Sequence, residues 1–171
     1  MILNDDRDLE VDFTDAIDAF VFDQMTPGEP KYHGIDEMHR VDWIVEFPES
    51  VLYVEVKDPE HPRAQAKGLA KMLQKLEDGK LAKTFTEKFV DTLVYGWAEE
   101  KLNKPIHYLN LVTWESALNN NLEDQIAGSL PPMRRKTPRW KRALAESCLV
   151  FNLDTWNQNF PKWPARRRGV Q

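Results

Sequence analysis

Two runs rich in β-branched and aromatic residues, RVDWIVEF at 40–47 and VLYVEVKD at 51–58, stand on either side of the tripeptide PES, and any fold for this chain must accommodate the hairpin they form. Residues directly opposite in an antiparallel pair share a face. Asp42 therefore joins Glu55 and Lys57 on one side of the sheet only if the connection has an even number of residues or a bulge intervenes. A two-residue Pro48-Glu49 turn would demand a positive φ that proline cannot adopt, whereas a four-residue loop over 48–51 suits a proline early in a type I turn. That register sets Asp42 opposite Lys57.

Downstream, Leu69, Met72, Leu73 and Leu76 predict a helix that Asp78-Gly79 ends, and Leu81, Phe85, Phe89, Leu93 and Trp97 predict a second one running to about residue 101. The run IHYLNLVTW is apolar on both alternating faces, as a central strand covered by helices above and below should be. A helix over 115–127, a Pro-rich basic link, a short helix over 139–146 and a final strand CLVFNLD follow, and 155–171 reads as an extended tail. Upstream, Phe13, Ala16, Ile17, Phe20 and Val21 recur at helical spacing, which predicts an amphipathic helix over 12–24 with Asp12, Asp15 and Asp18 elsewhere on its wheel. The segment TPGEPKYHGIDEMH has turn formers and no period, and reads as a loop holding at most one short edge strand near 31–35. With 171 residues, 42% of them hydrophobic, the chain can close one core but not two comfortable ones, so a single α/β domain over 1–171 is expected.

The lone cysteine, Cys148, rules out an intrachain disulfide and the thiolate spacings of zinc ribbons. It reads as a small core residue, and His33, His39, His61 and His107 show no ligand spacing. An acidic start, MILNDDRDLEVD, and the lack of any run of membrane-span length make a cytoplasmic protein without a membrane partner the expectation. The net charge of −5 speaks against a protein that coats nucleic acid non-specifically, by phosphate neutralisation, but does not exclude a nuclease. That net value hides two poles. Asp5, Asp6, Asp8, Glu10, Asp12, Asp15 and Asp18 crowd the start, while Arg134, Arg135, Lys136, Arg139, Lys141 and Arg142 cluster late, followed by Arg166 to Arg168. Arg134, Arg135, Lys136, Arg139 and Arg142, with Trp140 as a stacking face, could contact a nucleic-acid backbone; the same run also reads as a solvated linker and helix face.

The strand Tyr53-Val54-Glu55-Val56-Lys57 puts an acid and a base two residues apart on one face. Phosphodiester hydrolysis needs a hard divalent cation, carboxylates are the oxygen ligands such a cation prefers, and an ammonium nearby stabilises developing negative charge. Asp42 followed after twelve residues by Glu55-Val56-Lys57 resembles the PD-(D/E)xK nuclease superfamily, with Val41 where the family name has proline. The resemblance implies a restriction-endonuclease-like fold, a central mixed β-sheet flanked by helices, with a further strand ahead of the Asp-bearing one. It implies metal binding by Asp42 and Glu55, a catalytic role for Lys57, and a contribution from an acid on a preceding helix, Asp15 or Asp18. It further implies Mg²⁺ or Mn²⁺ as cofactor, nucleic acid as substrate with DNA ahead of RNA, and a symmetric dimer if both strands of a duplex are cut. The alternative is that Val54 and Val56 point inward and the charges are solvated, in a non-catalytic interaction or nucleic-acid-binding protein.

Overall fold

In a computed structural model, which describes residues 1–4, 9–131 and 137–168, the chain is a mixed α/β structure built on a five-stranded mixed sheet. That sheet has the order β3 (Asp18–Val21), β4 (Trp43–Glu46), β5 (Val51–Lys57), β6 (Ile106–Val112), β7 (Ser147–Phe151). β4 runs antiparallel to both β3 and β5, whereas β5, β6 and β7 are mutually parallel. Parallel neighbours need crossovers. Helices α1 (Ala66–Glu77) and α2 (Lys80–Ala98) join β5 to β6, and α3 (Ser116–Ser129) joins β6 to β7. A second sheet takes β1 (Ile2–Asn4), β2 (Leu9–Asp12) and the C-terminal β8 (Ala165–Arg167) in the order β1-β2-β8, with α4 (Leu153–Asn159) preceding β8. Among the described residues no helix is long and apolar enough to cross a membrane.

The period-two rule sorts the side chains of the large sheet onto two cores. Tyr53, Tyr108 and Val112 pack with Leu76, Leu81, Phe85, Phe89, Leu122 and Ile126 of the three helices. Trp43, Val45, Leu52, Val54, Val56, Leu109 and Leu111 pack on the other face with Leu9, Val11, Phe13, Trp156 and Ala165 from the small sheet and α4. Both faces of β5 and β6 are thus covered, as their apolar runs require. Gly79 adopts φ 70°, and Asp78 and Gly79 donate to the carbonyls of Gln74 and Leu76, so α1 closes where Asp78-Gly79 predicted and α2 starts at once.

Four expectations are overturned. Residues 12–24 form no helix: Ile17 N donates to Glu46 O and Phe22 N to Asp42 O, so the segment is the strand beside β4. Its apolar residues face two ways, Phe13, Ala16 and Ala19 toward the small sheet and Phe20 toward the helices, a division that mimicked helical spacing. The extra strand is therefore β3 and not 31–35, which is loop. The described residues 137–146 hold turns and bends instead of a short helix. The tail is no extension: Asn152 caps α4 in a reciprocal capping box with Thr155, and Arg166 and Arg168 pair with Glu10 while Arg167 pairs with Asp58.

Trp156 holds that tail down. It has no solvent exposure, lies 6.4, 5.9 and 5.1 Å from the rings of Phe13, Phe151 and Phe160, and donates its Nε1 to Trp163 O at 2.8 Å. Trp156→Ala should lower unfolding free energy by about 3–5 kcal/mol in a denaturant titration, the usual loss for a buried aromatic; a change under about 1 kcal/mol would mean that this packing contributes little.

Candidate active site

The hairpin closes through the loop 47–50, with Phe47 N donating to Ser50 O at 2.8 Å. The loop has the expected even length but begins one residue earlier than its sequence suggests, which moves the register by two. Trp43 pairs with Val54 and Ile44 with Tyr53, so Asp42 falls opposite Glu55, not Lys57. Parity is preserved, and both acids lie on the helix-facing side of the sheet.

Asp42 is fixed from several directions. Its carbonyl accepts from Phe22 N at 2.9 Å, its Oδ2 accepts from Val56 N at 2.6 Å, and the preceding amide, Val41 N, donates to Thr92 Oγ1 of α2 at 3.1 Å. Before it, the nearly buried Arg40 donates Nε to Asp23 at 2.9 Å and Nη1 to the Ile35 carbonyl at 2.9 Å, which anchors the 24–40 loop.

Glu55 has no exposure at all, so the solvated-charge alternative does not describe this strand. Its Oε1 lies 2.5 Å from Lys57 Nζ and its Oε2 lies 2.8 Å from the ammonium of Lys88, a residue of α2. Lys88 Nζ is also 3.3 Å from Asp42 Oδ1, and Lys57 Nζ is 3.8 Å from Asp42 Oδ2 and donates to Val56 O at 3.0 Å. Two carboxylates and two ammoniums thus make a closed, neutral network. Burial is the main cause that pushes Glu55 up to about 7, with Asp42 adding to it and Lys57 and Lys88 opposing. For Lys88 burial acts downward, but Glu55 and Asp42 together outweigh it and hold the ammonium above its ordinary value.

Lys88 is the residue that sequence reasoning missed, although a signal existed. It sits three residues after Phe85 and four before Thr92, both buried, and a lysine on the apolar face of a helix calls for a partner. Conversely, Asp15 lies in the exposed turn after β2, and Asp18 pairs with Glu46 in register and with Lys31 at 2.5 Å. Glu46 is four residues along the strand from Asp42, roughly 13 Å away, so neither acid stands on a helix beside the pair. Arg134, Arg135 and Lys136 lie outside the described residues. Arg139 is exposed, Trp140 is half-buried, and the exposed Arg142 donates to Leu102 O. Cys148 is buried, its thiol pushed up to about 12 by burial, as suits a core residue.

A cavity of about 320 Å³ is lined by Asp58, the residue after Lys57, with His61, Arg63, Gln65 and Leu69 among others, but not by Asp42, Glu55, Lys57 or Lys88. Asp58 at its edge is held by Thr113 and by both terminal nitrogens of Arg167. A second cavity, about 160 Å³, is lined by Asp18, Phe20, Glu46 and Tyr53 but by neither Asp42 nor Glu55. Among the described residues no three His, Cys, Asp or Glu side chains converge as a metal cluster. Two carboxylates do converge on one cation, the Lys88 ammonium, and hard oxygens in this number are a set that Mg²⁺ commonly takes, with water and phosphate completing its shell. No family model, curated protein or solved structure matches the chain.

Glu55 also sets a pH dependence. A carboxyl raised from 4.5 to about 7 binds more protons folded than unfolded between those values, so its contribution is fully present below the unfolded value and is lost as pH rises through about 7. Stability should fall by on the order of 3 kcal/mol across that interval from this group, and the slope should vanish in Glu55→Gln. Thermal melts of both proteins across the same pH series would show it; equal slopes would assign the titration to other groups.

Proposed function

We propose that this protein is a metal-dependent nuclease of the restriction-endonuclease-like type, hydrolysing phosphodiester bonds with Mg²⁺ or Mn²⁺, in DNA ahead of RNA. The observation that carries the reading is the meeting of Asp42 and Glu55 across the hairpin, with the Lys57 ammonium 2.5 Å from Glu55. Strand β3 ahead of the Asp-bearing strand, and the helical crossover from β5 to a parallel β6, add support.

Asp42 and Glu55 would hold the metal, which when bound supplies a polarised phosphoryl oxygen and an acidified water. Asp42 is pre-positioned by its bond from Val56 N, and Glu55 by its burial under α2. Lys57, partly open to solvent at 23%, keeps its ammonium at the edge of the acid pair, where it can stabilise negative charge on an attacking or leaving oxygen. The cavity at Asp58, with Arg63 and His61 in its lining, is the proposed side of approach for a phosphodiester. Arg139, Trp140 and Arg142, with the neighbouring Arg134, Arg135 and Lys136, are the proposed backbone contacts, and a dimer would be required for concerted cutting of both strands.

A second reading is a non-catalytic interaction protein. The closed network favours it, since two ammoniums already balance two carboxylates without a metal.

Cleavage of plasmid and single-stranded DNA with Mn²⁺ separates the two. Asp42→Asn, Glu55→Gln and Lys57→Ala should each reduce cutting by about a hundredfold or more, and a folded wild type that never cuts overturns the nuclease reading. Reversing charge at Arg139 and Arg142 should lower the salt slope of DNA binding by about one unit for each phosphate that the protein no longer neutralises; an unchanged slope would return that segment to ordinary solvated surface.

A further inference from the structure

The side chains of Lys80 and Lys83 on α2 are 69% and 75% exposed, and that of Glu87 is 39% exposed. Lys88 is 13% exposed and turned under the helix onto the acid pair. Burying an ammonium is unfavourable unless partners compensate, and Lys88 has two, one oxygen from each acid. Lys57 is placed differently: it touches Glu55 closely, stands 3.8 Å from Asp42, and spends one donor on its own strand at Val56 O. Lys88 is therefore the cation that both carboxylates address, and it arrives from another element on a flexible stem.

Charge balance gives this placement a consequence. Asp42, Glu55, Lys57 and Lys88 sum to zero, so a divalent cation added between the acids leaves two surplus positive charges in a largely desolvated space. We infer that Lys88 is the exchangeable counter-ion of this site: a divalent cation binds between Asp42 and Glu55 in exchange for its ammonium, and the displaced ammonium pairs with an anionic phosphate group of the substrate. The inference rests on the proposed reading of the acid pair as a metal site. No bond is made or broken in the exchange; an ion pair moves from a carboxylate to a phosphate. Metal and phosphodiester consequently bind with positive coupling, each being weaker without the other.

Calorimetric titration of Mn²⁺ into the wild type, Lys88→Met and Lys88→Arg tests it, with thermal melts confirming that each is folded. Removing the resident cation should tighten Mn²⁺ binding by about tenfold or more, within the usual range for coupled sites, while Lys88→Arg keeps a cation in the seat and stays close to wild type. A short DNA duplex with Ca²⁺ in place of Mn²⁺ should tighten metal binding in the wild type and do so less in Lys88→Met. Lys88→Met binding Mn²⁺ no more tightly than wild type overturns the exchange. If Lys88→Met does not fold, ¹⁵N-lysine spectra of the wild type decide: the Lys88 ammonium signal should shift on adding Mg²⁺ alone, and a signal unmoved at saturation overturns the inference. Tighter Mn²⁺ binding in Lys88→Met beside a wild type that cuts no nucleic acid leaves the exchange standing and removes the nuclease reading. If neither protein binds Mn²⁺, both fall together.

Discussion

A carboxylate with no solvent exposure, Glu55, sits in the middle strand of the large sheet, and the architecture around it follows from the need to compensate its charge. An isolated buried carboxylate would be strongly disfavoured in the low-dielectric interior. Lys57 reaches it along its own strand, Lys88 from the helix above, and Asp42 shares both ammoniums from the strand beside it. This arrangement requires α2 to lie over the junction of β4 and β5. Phe85 and Phe89 pack it onto Tyr53 and Tyr108, the Tyr108 hydroxyl donates to Phe85 O, and Thr92 accepts from Val41 N. Packing and ion pairing thus depend on one another.

The same network is finely divided in its effect on Glu55. Burial and Asp42 raise Glu55 toward neutrality, while two lysines favour its charged form. A fold selected only for stability would gain from apolar side chains of similar volume at these positions. The two cores leave this cluster as a polar patch in an otherwise aromatic and aliphatic interior, close to the end of β5. There Arg167 of β8 grips Asp58 and ties the C-terminal strand to the edge of the cavity that Asp58 lines.

Local signals made several elements legible. The hairpin, α1 with its Asp78-Gly79 stop, α2 and the doubly covered β6 each carry a strong period or an unambiguous turn, and they stand within a few residues of their expected places. The 12–24 segment does not, because a strand that contributes apolar residues to two different cores has no single apolar face, and Phe13, Ala16, Phe20 and Val21 happen to fall near helical spacing. The end of the chain was opaque for a related reason. Trp156, Phe160 and Trp163 show no regular period, since they pack on Phe13 and Phe47 from distant parts of the sequence as well as on the nearby Phe151.

For the site, the sequence by itself determined the chemistry of the hairpin: which residue types lie on one face of β5, and that Asp42 shares that face if the loop is even. Only the tertiary structure decided that Asp42 stands opposite Glu55, that Asp18 belongs with Lys31 and Glu46 instead of the acid pair, and that Lys88 completes the cluster. The physical reason is that alternation along a strand is a local property of the backbone. The counter-charge to a buried acid can come from any element that packs above it, and the packing of α2 on the sheet is a property of the whole chain.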